Sequence, residues 1–196
     1  MNTYEAIITR RSTRKFKQKK IDNDIIQKII EAGRYAPSGG NSQTNHFFVI
    51  QNPDILSGLV QLAQDAFAKM EIQEDTYPSL KTSIFLSKKG NYIFNYHAPV
   101  LVVIANQKDY GNNMADVACA LENMMIAAND LDLGSCYINQ LKWLNEDENL
   151  LGYFKELGLQ ENERIYGALA LGYADTEDGM PDRTPLPRKG NTVGWL

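Results

Sequence analysis

Eight consecutive apolar residues, Ala98 to Ala105, constrain this chain more than any other stretch. The proline inside the run disfavours a helix interior, and the length falls far short of the ~20 residues that a membrane-spanning helix requires. Pro99 to Ala105 reads as a strand buried on both faces, which demands a covering layer on either side of a sheet. A second segment points the same way. From Met114 to Leu131 the pattern is helical, but Val117, Ala118, Leu121, Met124, Met125, Ile126 and Leu131 spread over more than one face. Such a helix belongs inside a core or against another subunit.

Other elements are arranged around these two. Asn2 and Glu5 form a capping-box pattern that opens a helix through about Thr9. Asp22 or Asn23 caps a second helix, striped by Ile25, Ile26, Ile29 and Ile30 and ended by Gly33 and Pro37. Ser38 to Asn45 is a loop without aliphatic residues, His46 to Ile50 a strand, and Asn52-Pro53 the start of a helix reaching about Met70. Residues 71–97 mix charges with aromatic residues and read as a variable helical excursion or lid. Gly134 is placed to terminate the central helix, Ser135 to Asn139 is a short strand, Asn145 caps a helix through about Leu157, and Ile165 to Tyr173 is a last strand. Residues 175–196, acidic and then proline-rich, form an extended tail able to wrap a surface, including that of a partner subunit. About four strands alternate irregularly with helices, which predicts a mixed α/β layer fold in a single domain over 1–196.

Composition narrows the function classes. With 43% hydrophobic and 22% charged residues the chain is an ordinary globular protein. No apolar leader precedes the first helix, so a cytoplasmic protein is expected, without a membrane partner. Cys119 and Cys136 form no CxxC pair, and with only two histidines the chain offers no metal site. The net charge of −4 hides an asymmetry: residues 10–20 hold seven cations and no acid, leaving 13 basic against 24 acidic residues elsewhere. A basic island on an acidic protein calls for an anionic partner or a solvated face.

Three polar stations carry the chemistry: Arg10-Arg11-Ser12-Thr13-Arg14, Pro37-Ser38-Gly39-Gly40-Asn41-Ser42-Gln43, and Arg188-Lys189. Guanidinium groups bind phosphate oxygens bidentately, while hydroxyls and glycine-rich backbone add donors where a side chain would obstruct approach. Together they suit a phosphorylated ligand. Taken singly each has a plainer reading. Arg10 and Arg11 can offset a helix C-terminal dipole, Pro-Ser-Gly-Gly is most often a turn, and Lys15, Lys17, Lys19 and Lys20 suit a solvated face. His46 and His97 are read as structural. No GK[ST] follows the glycines, no GxGxxG follows a strand, and GxSxG and HExxH are absent.

The order of the stations is more specific than any one of them. An opening helix, Arg10-Arg11-Ser12-x-Arg14-x-Phe16, then a helix ending in Ala36-Pro37-Ser38-Gly39-Gly40-Asn41-Ser42-Gln43 before Phe47-Phe48-Val49-Ile50, resembles the nitroreductase family of FMN-dependent oxidoreductases. Gly134 to Asn139, Gly167 to Gly172 and Pro187-Arg188-Lys189 extend the resemblance over nearly the whole chain. It implies an α+β, three-layer fold with a central, mostly antiparallel sheet flanked by helices. It also implies an intertwined homodimer with FMN at the subunit interface. On the same resemblance Arg10, Ser12 and Arg188 correspond to the FMN phosphate clamp, helped by Arg11 and Lys189, and Arg14 to a cation near the ribityl chain or pyrimidine edge. Pro37, Ser38, Gly39 and Asn41 correspond to a loop reaching the flavin from the other subunit, supported by Gln43. Ile138 and Asn139 correspond to backbone passing close to the ring. The implied activity is ping-pong electron transfer from NADH or NADPH to a nitroaromatic, quinone or similar electrophile, with no side chain nominated as catalytic acid or base. Two alternatives stand beside it: another flavoenzyme of this fold, of dehydrogenase or reductive dehalogenase type, and a nucleic-acid binder using segment 10–20. The acidic remainder of the chain argues against nucleic acid.

Overall fold

The computed structural model describes residues 1–195. Its helices are α1 (Thr3–Thr9), α2 (Asn23–Arg34), α3 (Pro53–Lys69), α4 (Pro78–Lys88), α5 (Asn113–Asp130) and α6 (Glu148–Glu156). Its strands are β1 (His46–Ile50), β2 (Val100–Gln107), β3 (Gly134–Ile138) and β4 (Glu163–Gly172). The strands form one sheet in the order β1-β2-β4-β3, with every neighbour antiparallel. Among the described residues the sheet is thus wholly antiparallel, where a mostly antiparallel one was expected.

The apolar run explains the layering. Along β2, Leu101, Val103 and Ala105 enter a core shared with Leu59, Phe67, Ile84 and Phe154 of α3, α4 and α6. Val100, Val102 and Ile104 alternate with them into a second core with Ile26 and Ile29 of α2 and Val117, Leu121 and Met124 of α5. A period of two on a strand buried on both sides produces this division, giving the α+β three-layer arrangement. A bulge adjusts it. Ile104 pairs with Gly167 and Ala105 with Ile165, so Tyr166 is the extra residue on β4 and the facing of that strand shifts by one.

Helix starts follow the capping chemistry. The Asn2 and Glu5 side chains and backbone amides bond reciprocally at 2.9 and 3.2 Å. Asp22 caps α2, and Asn52 Oδ1 accepts from Asp54 N and Ile55 N at the start of α3. The start of α6 differs from expectation. Asn145 closes a 3₁₀ turn, Gln140–Leu144, and Asp147 is the cap, accepting from Leu150 N at 2.9 Å. Two glycines also do other work than the helix stops expected of them. Gly33 lies inside α2, where a Cβ would stand 2.8 Å from Met124 of α5, so it sets close helix packing. Gly134 begins β3, where a Cβ would stand 2.7 Å from the Thr13 side chain, and Asp132 makes the left-handed turn after α5 at φ 61°.

The excursion 71–97 is mostly exposed but contributes to the core. It holds one helix, α4, opened by Pro78, and buries Ile84, Tyr92 and Phe94 against α3 and the sheet. Beyond β4 the tail carries no regular element among the described residues, and no described helix is long and apolar enough to cross a membrane.

Candidate functional site

The chain leaves α1 at Arg10 in an extended conformation and passes along the outer edge of β3. Ser12 makes a parallel bridge to Ser135, and Thr13 N donates to Ser135 O at 2.8 Å. Buried Phe16 bridges to Ala174, holding the far end of the strip. Along this strip Ser12 and Arg14 are exposed and Arg10 is half-buried. Arg10 Nε stands 3.5 Å from Glu122 Oε1 of α5, but the alignment is not that of a hydrogen bond, and the buried nitrogen has no partner among the described residues. A buried donor without a hydrogen bond is costly, and the Glu122 carboxylate supplies only a neighbouring counter-charge. The Arg14 guanidinium lies 5.9 Å from the centroid of Tyr96. All three donors act on Cys136 of β3. Burial pushes that thiol up, while Arg14, a Ser12 hydrogen bond and Arg10 pull it down. Two residues farther along the strand, Ile138 is buried and half-buried Asn139 opens the Gln140–Leu144 turn.

The second station is a strained, internally bonded loop. Gly40, Asn41 and Gln43 have φ of 58°, 56° and 52°, a left-handed cluster of the kind that functional loops retain when surrounding bonds over-determine it. Those bonds converge on Asp116, a buried carboxylate in the first turn of α5. Its oxygens accept from Gly39 N at 3.1 Å, from Tyr110 OH at 3.0 Å and from Ser42 Oγ at 3.5 Å, and its main-chain oxygen accepts from Asn45 Nδ2. Ser38 Oγ accepts from Gln43 N, and Gln43 Nε2 donates to Asn41 Oδ1. Pro37 and the loop's outer residues stay solvent-accessible.

The third station lies apart. Arg183 holds the tail against the end of α5, bonding the Asn129 side chain and main-chain oxygen and pairing with Asp132 at 2.6 Å. Arg11 pairs with Asp182 at 3.0 Å and donates to Thr184 O at 2.9 Å, so it organises the tail. Arg188 and Lys189 are exposed beyond this clamp, and among the described residues no bond joins them to Arg10 or Ser12. One chain therefore gathers Arg10, Ser12, Arg14, Ile138 and Asn139 along β3, holds Pro37 to Gln43 at the other end of α5, and leaves Arg188 and Lys189 outside both groups. Of the lysines expected on a solvated face, Lys15, Lys19 and Lys20 are exposed, with Lys19 over the Tyr173 ring, and half-buried Lys17 reaches Glu177 O.

Sequence reasoning did not nominate Asp116, Tyr110 or Arg183, which position these stations. Asp116 carried a readable signal. It sits four and eight residues before Ala120 and Met124, on the face of α5 that is otherwise apolar, and an acid placed there must be satisfied by the fold. Tyr110 and Arg183 lie in irregular segments, where no periodicity reveals facing.

Comparison with known proteins agrees with this geometry. The model of the Nitroreductase family matches residues 7–173. The chain belongs to the nitroreductase family. A crystal structure of a nitroreductase with bound FMN from Bacteroides fragilis superposes with a TM-score of 0.81 at 35% identity, covering 100% of this chain and 97% of that one. An NADPH-dependent oxidoreductase of Staphylococcus epidermidis is 25% identical over 95% of this chain and 70% of its own length. Iodotyrosine deiodinase 1 of Sus scrofa is 25% identical over 95% of this chain and 65% of its own. As a nitroreductase-family member the protein is an oxidoreductase, and the matched span includes the arginine strip, the Ser38–Gln43 loop and all four strands.

Proposed function

We propose that this nitroreductase-family protein binds FMN between two copies of the chain and passes electrons from NADH or NADPH to an electrophilic small molecule such as a nitroaromatic or a quinone. The observation that carries this reading is the donor strip on β3, where Arg10 Nε is buried without a hydrogen-bond partner beside Ser12 and Arg14. Those donors fit a phosphate monoester with a polar chain attached. FMN, when bound, supplies the hydride and electron chemistry that no side chain here offers. Arg10 and Ser12 hold the phosphate with Arg188, and Arg11 and Lys189 add positive charge around it. Arg14 lies along the ribityl chain or the pyrimidine edge, where a fixed cation favours the added negative charge of reduction.

The homodimer is part of the same proposal. Tyr4 and Ile7 on α1 and Met114 on α5 are exposed apolar residues, and Ala115, Ala118 and Cys119 continue an exposed small-residue face on α5. Pairing two copies over these faces brings the Pro37–Gln43 loop of one to the β3 strip of the other, where Pro37, Ser38, Gly39 and Asn41 border the flavin and Gln43 braces them. Ile138 and Asn139 then bring backbone close to the ring. Donor and acceptor occupy the same open cleft in turn, a ping-pong order that needs no dedicated nicotinamide fold. Anaerobic titration of purified protein with NADH and with NADPH, followed by a panel of nitroaromatics, quinones and halogenated phenols, tests this. A flavin absorbance that bleaches and then recovers with a nitroaromatic or quinone is expected. The similarity to the pig deiodinase makes reductive dehalogenation the second reading, favoured if only the halogenated phenols restore the absorbance.

A further inference from the structure

A cavity lies apart from the donor strip, where β1 ends and β2 begins, between segment 18–21, the first turns of α3 and residues 93–100. Its volume is about 730 Å³, within the range of small-molecule sites. None of the residues proposed for the cofactor lines it. We propose that this cavity binds a small anionic amphiphile, a carboxylate carried on a hydrocarbon body.

Three observations support that ligand class. The inner wall is apolar, built from Leu56, Val60, Ile93, Ala98 and Pro99, and suits a hydrocarbon. The rim carries Lys19, Lys20 and His97 and no aspartate or glutamate, on a chain where acids outnumber lysines and arginines 24 to 20. The acids adjoining the lining in sequence, Asp22 and Asp54, lie in the starts of α2 and α3, and Asp22 is engaged as a cap. Lys20 has no carboxylate partner among the described residues, so its charge is available to a ligand head group.

The third observation is that the wall is held in shape. Tyr96 and His97 are successive non-glycine residues at φ 54° and 56°, a conformation that L-residues avoid. Gln18 Nε2 donates to His97 O at 2.7 Å and Asn95 Oδ1 accepts from His97 N at 3.2 Å, fixing this turn at the cavity mouth. Strain that neighbouring bonds enforce clusters at ligand sites. A ligand here also gives a role to Lys19 and Lys20 of the basic island, which the phosphate clamp does not use.

Calorimetric titration of the purified full chain with octanoate, octan-1-ol and octylammonium tests the proposal. Saturable binding of one octanoate per chain is expected, with the alcohol weaker and the ammonium weakest. Lys20→Glu should weaken octanoate about tenfold. Ser57→Trp, at an exposed position on the lining, should block it, and both variants should keep wild-type FMN affinity. Absence of saturable octanoate binding, equal affinity for octylammonium, or binding indifferent to both substitutions overturns the proposal. A chain that binds octanoate in this order but holds no FMN upholds the cavity and sinks the cofactor reading.

Discussion

Against one face of the sheet, α3, α4 and α6 close a core around Phe67, Phe94 and Phe154. Against the other, α2 and α5 bury Ile29, Leu121 and Met124, yet α1 and α5 leave Tyr4, Ile7, Ile8 and Met114 exposed, Tyr4 by 71%. Three polar stations also attach to that second layer through α5: Arg10 beside Glu122, the Ser38–Gln43 loop on Asp116, and the tail on Asn129. The same hydrophobic effect builds both sides, and the first also leaves Tyr77 and Phe85 exposed, but only the second combines exposed apolar residues with attached polar stations. A layer of that kind is where a chain meets something else, and the difference separates residues that secure the fold from residues that serve the site.

Four substitutions sharpen or break this division. The largest effect belongs to the closed side. Phe154→Ala deletes a fully buried ring packed edge-on against Phe48 and should cost about 3–5 kcal/mol in chemical denaturation. FMN affinity of the folded variant should be unchanged, and a loss of FMN without a loss of stability would mean that the two sides are not independent. Next is Tyr92, whose hydroxyl burial pushes up to about 12 despite a 2.8 Å bond from Ser83. The folded protein keeps that proton where the unfolded chain, titrating near 10, has lost it. Its contribution to stability is therefore full below pH 10 and should decline by about 2–3 kcal/mol between pH 10 and 12. Tyr92→Phe should remove that share while Tyr137, Tyr153 and Tyr166, also pushed up by burial, keep theirs.

On the open side, Arg10→Ala should weaken FMN binding by one to two orders of magnitude, the loss of a charged hydrogen bond of about 1.5–3 kcal/mol, while the melting temperature of FMN-free protein barely moves. A large drop in that temperature would instead make Arg10 a structural residue. Asp116→Asn should have the smallest effect, about 1 kcal/mol. Faster hydrogen exchange at Gly39, with little change at the amides of β2, is the readout, and unchanged exchange would show that Asp116 does not pin the loop.

Most of the layering could be read from the chain itself, because it depends on short-range pattern. The apolar run at Ala98–Ala105, the two-faced helix at Met114–Leu131 and the caps at Asn2, Asp22 and Asn52 act through local periodicity or bonds between near neighbours. What could not be read depends on contacts between distant segments. Gly33 and Gly134 look like helix stops until Met124 and Thr13 are seen standing where their Cβ atoms would be. The excursion 71–97 looks like a lid because Ile84, Tyr92 and Phe94 acquire their neighbours only when α4 folds onto α3. At the site, the motif Arg10-Arg11-Ser12-x-Arg14 reads as one unit, but the fold divides it: Arg10 lies beside Glu122, Ser12 bridges to β3 and Arg11 turns to Asp182.

The central claim is that each site is completed by a second copy, and mixing tests it most directly. One variant carries Arg10→Ala with Arg14→Ala, the other Ser38→Ala with Asn41→Ala. At an FMN concentration that saturates only the wild type, each alone should be nearly colourless. Unfolded and refolded together in equal amounts, they should recover flavin in about a quarter of all sites, since half the dimers are mixed and each mixed dimer has one intact site. Flavin content no higher than the mean of the two parents would contradict a site shared between subunits.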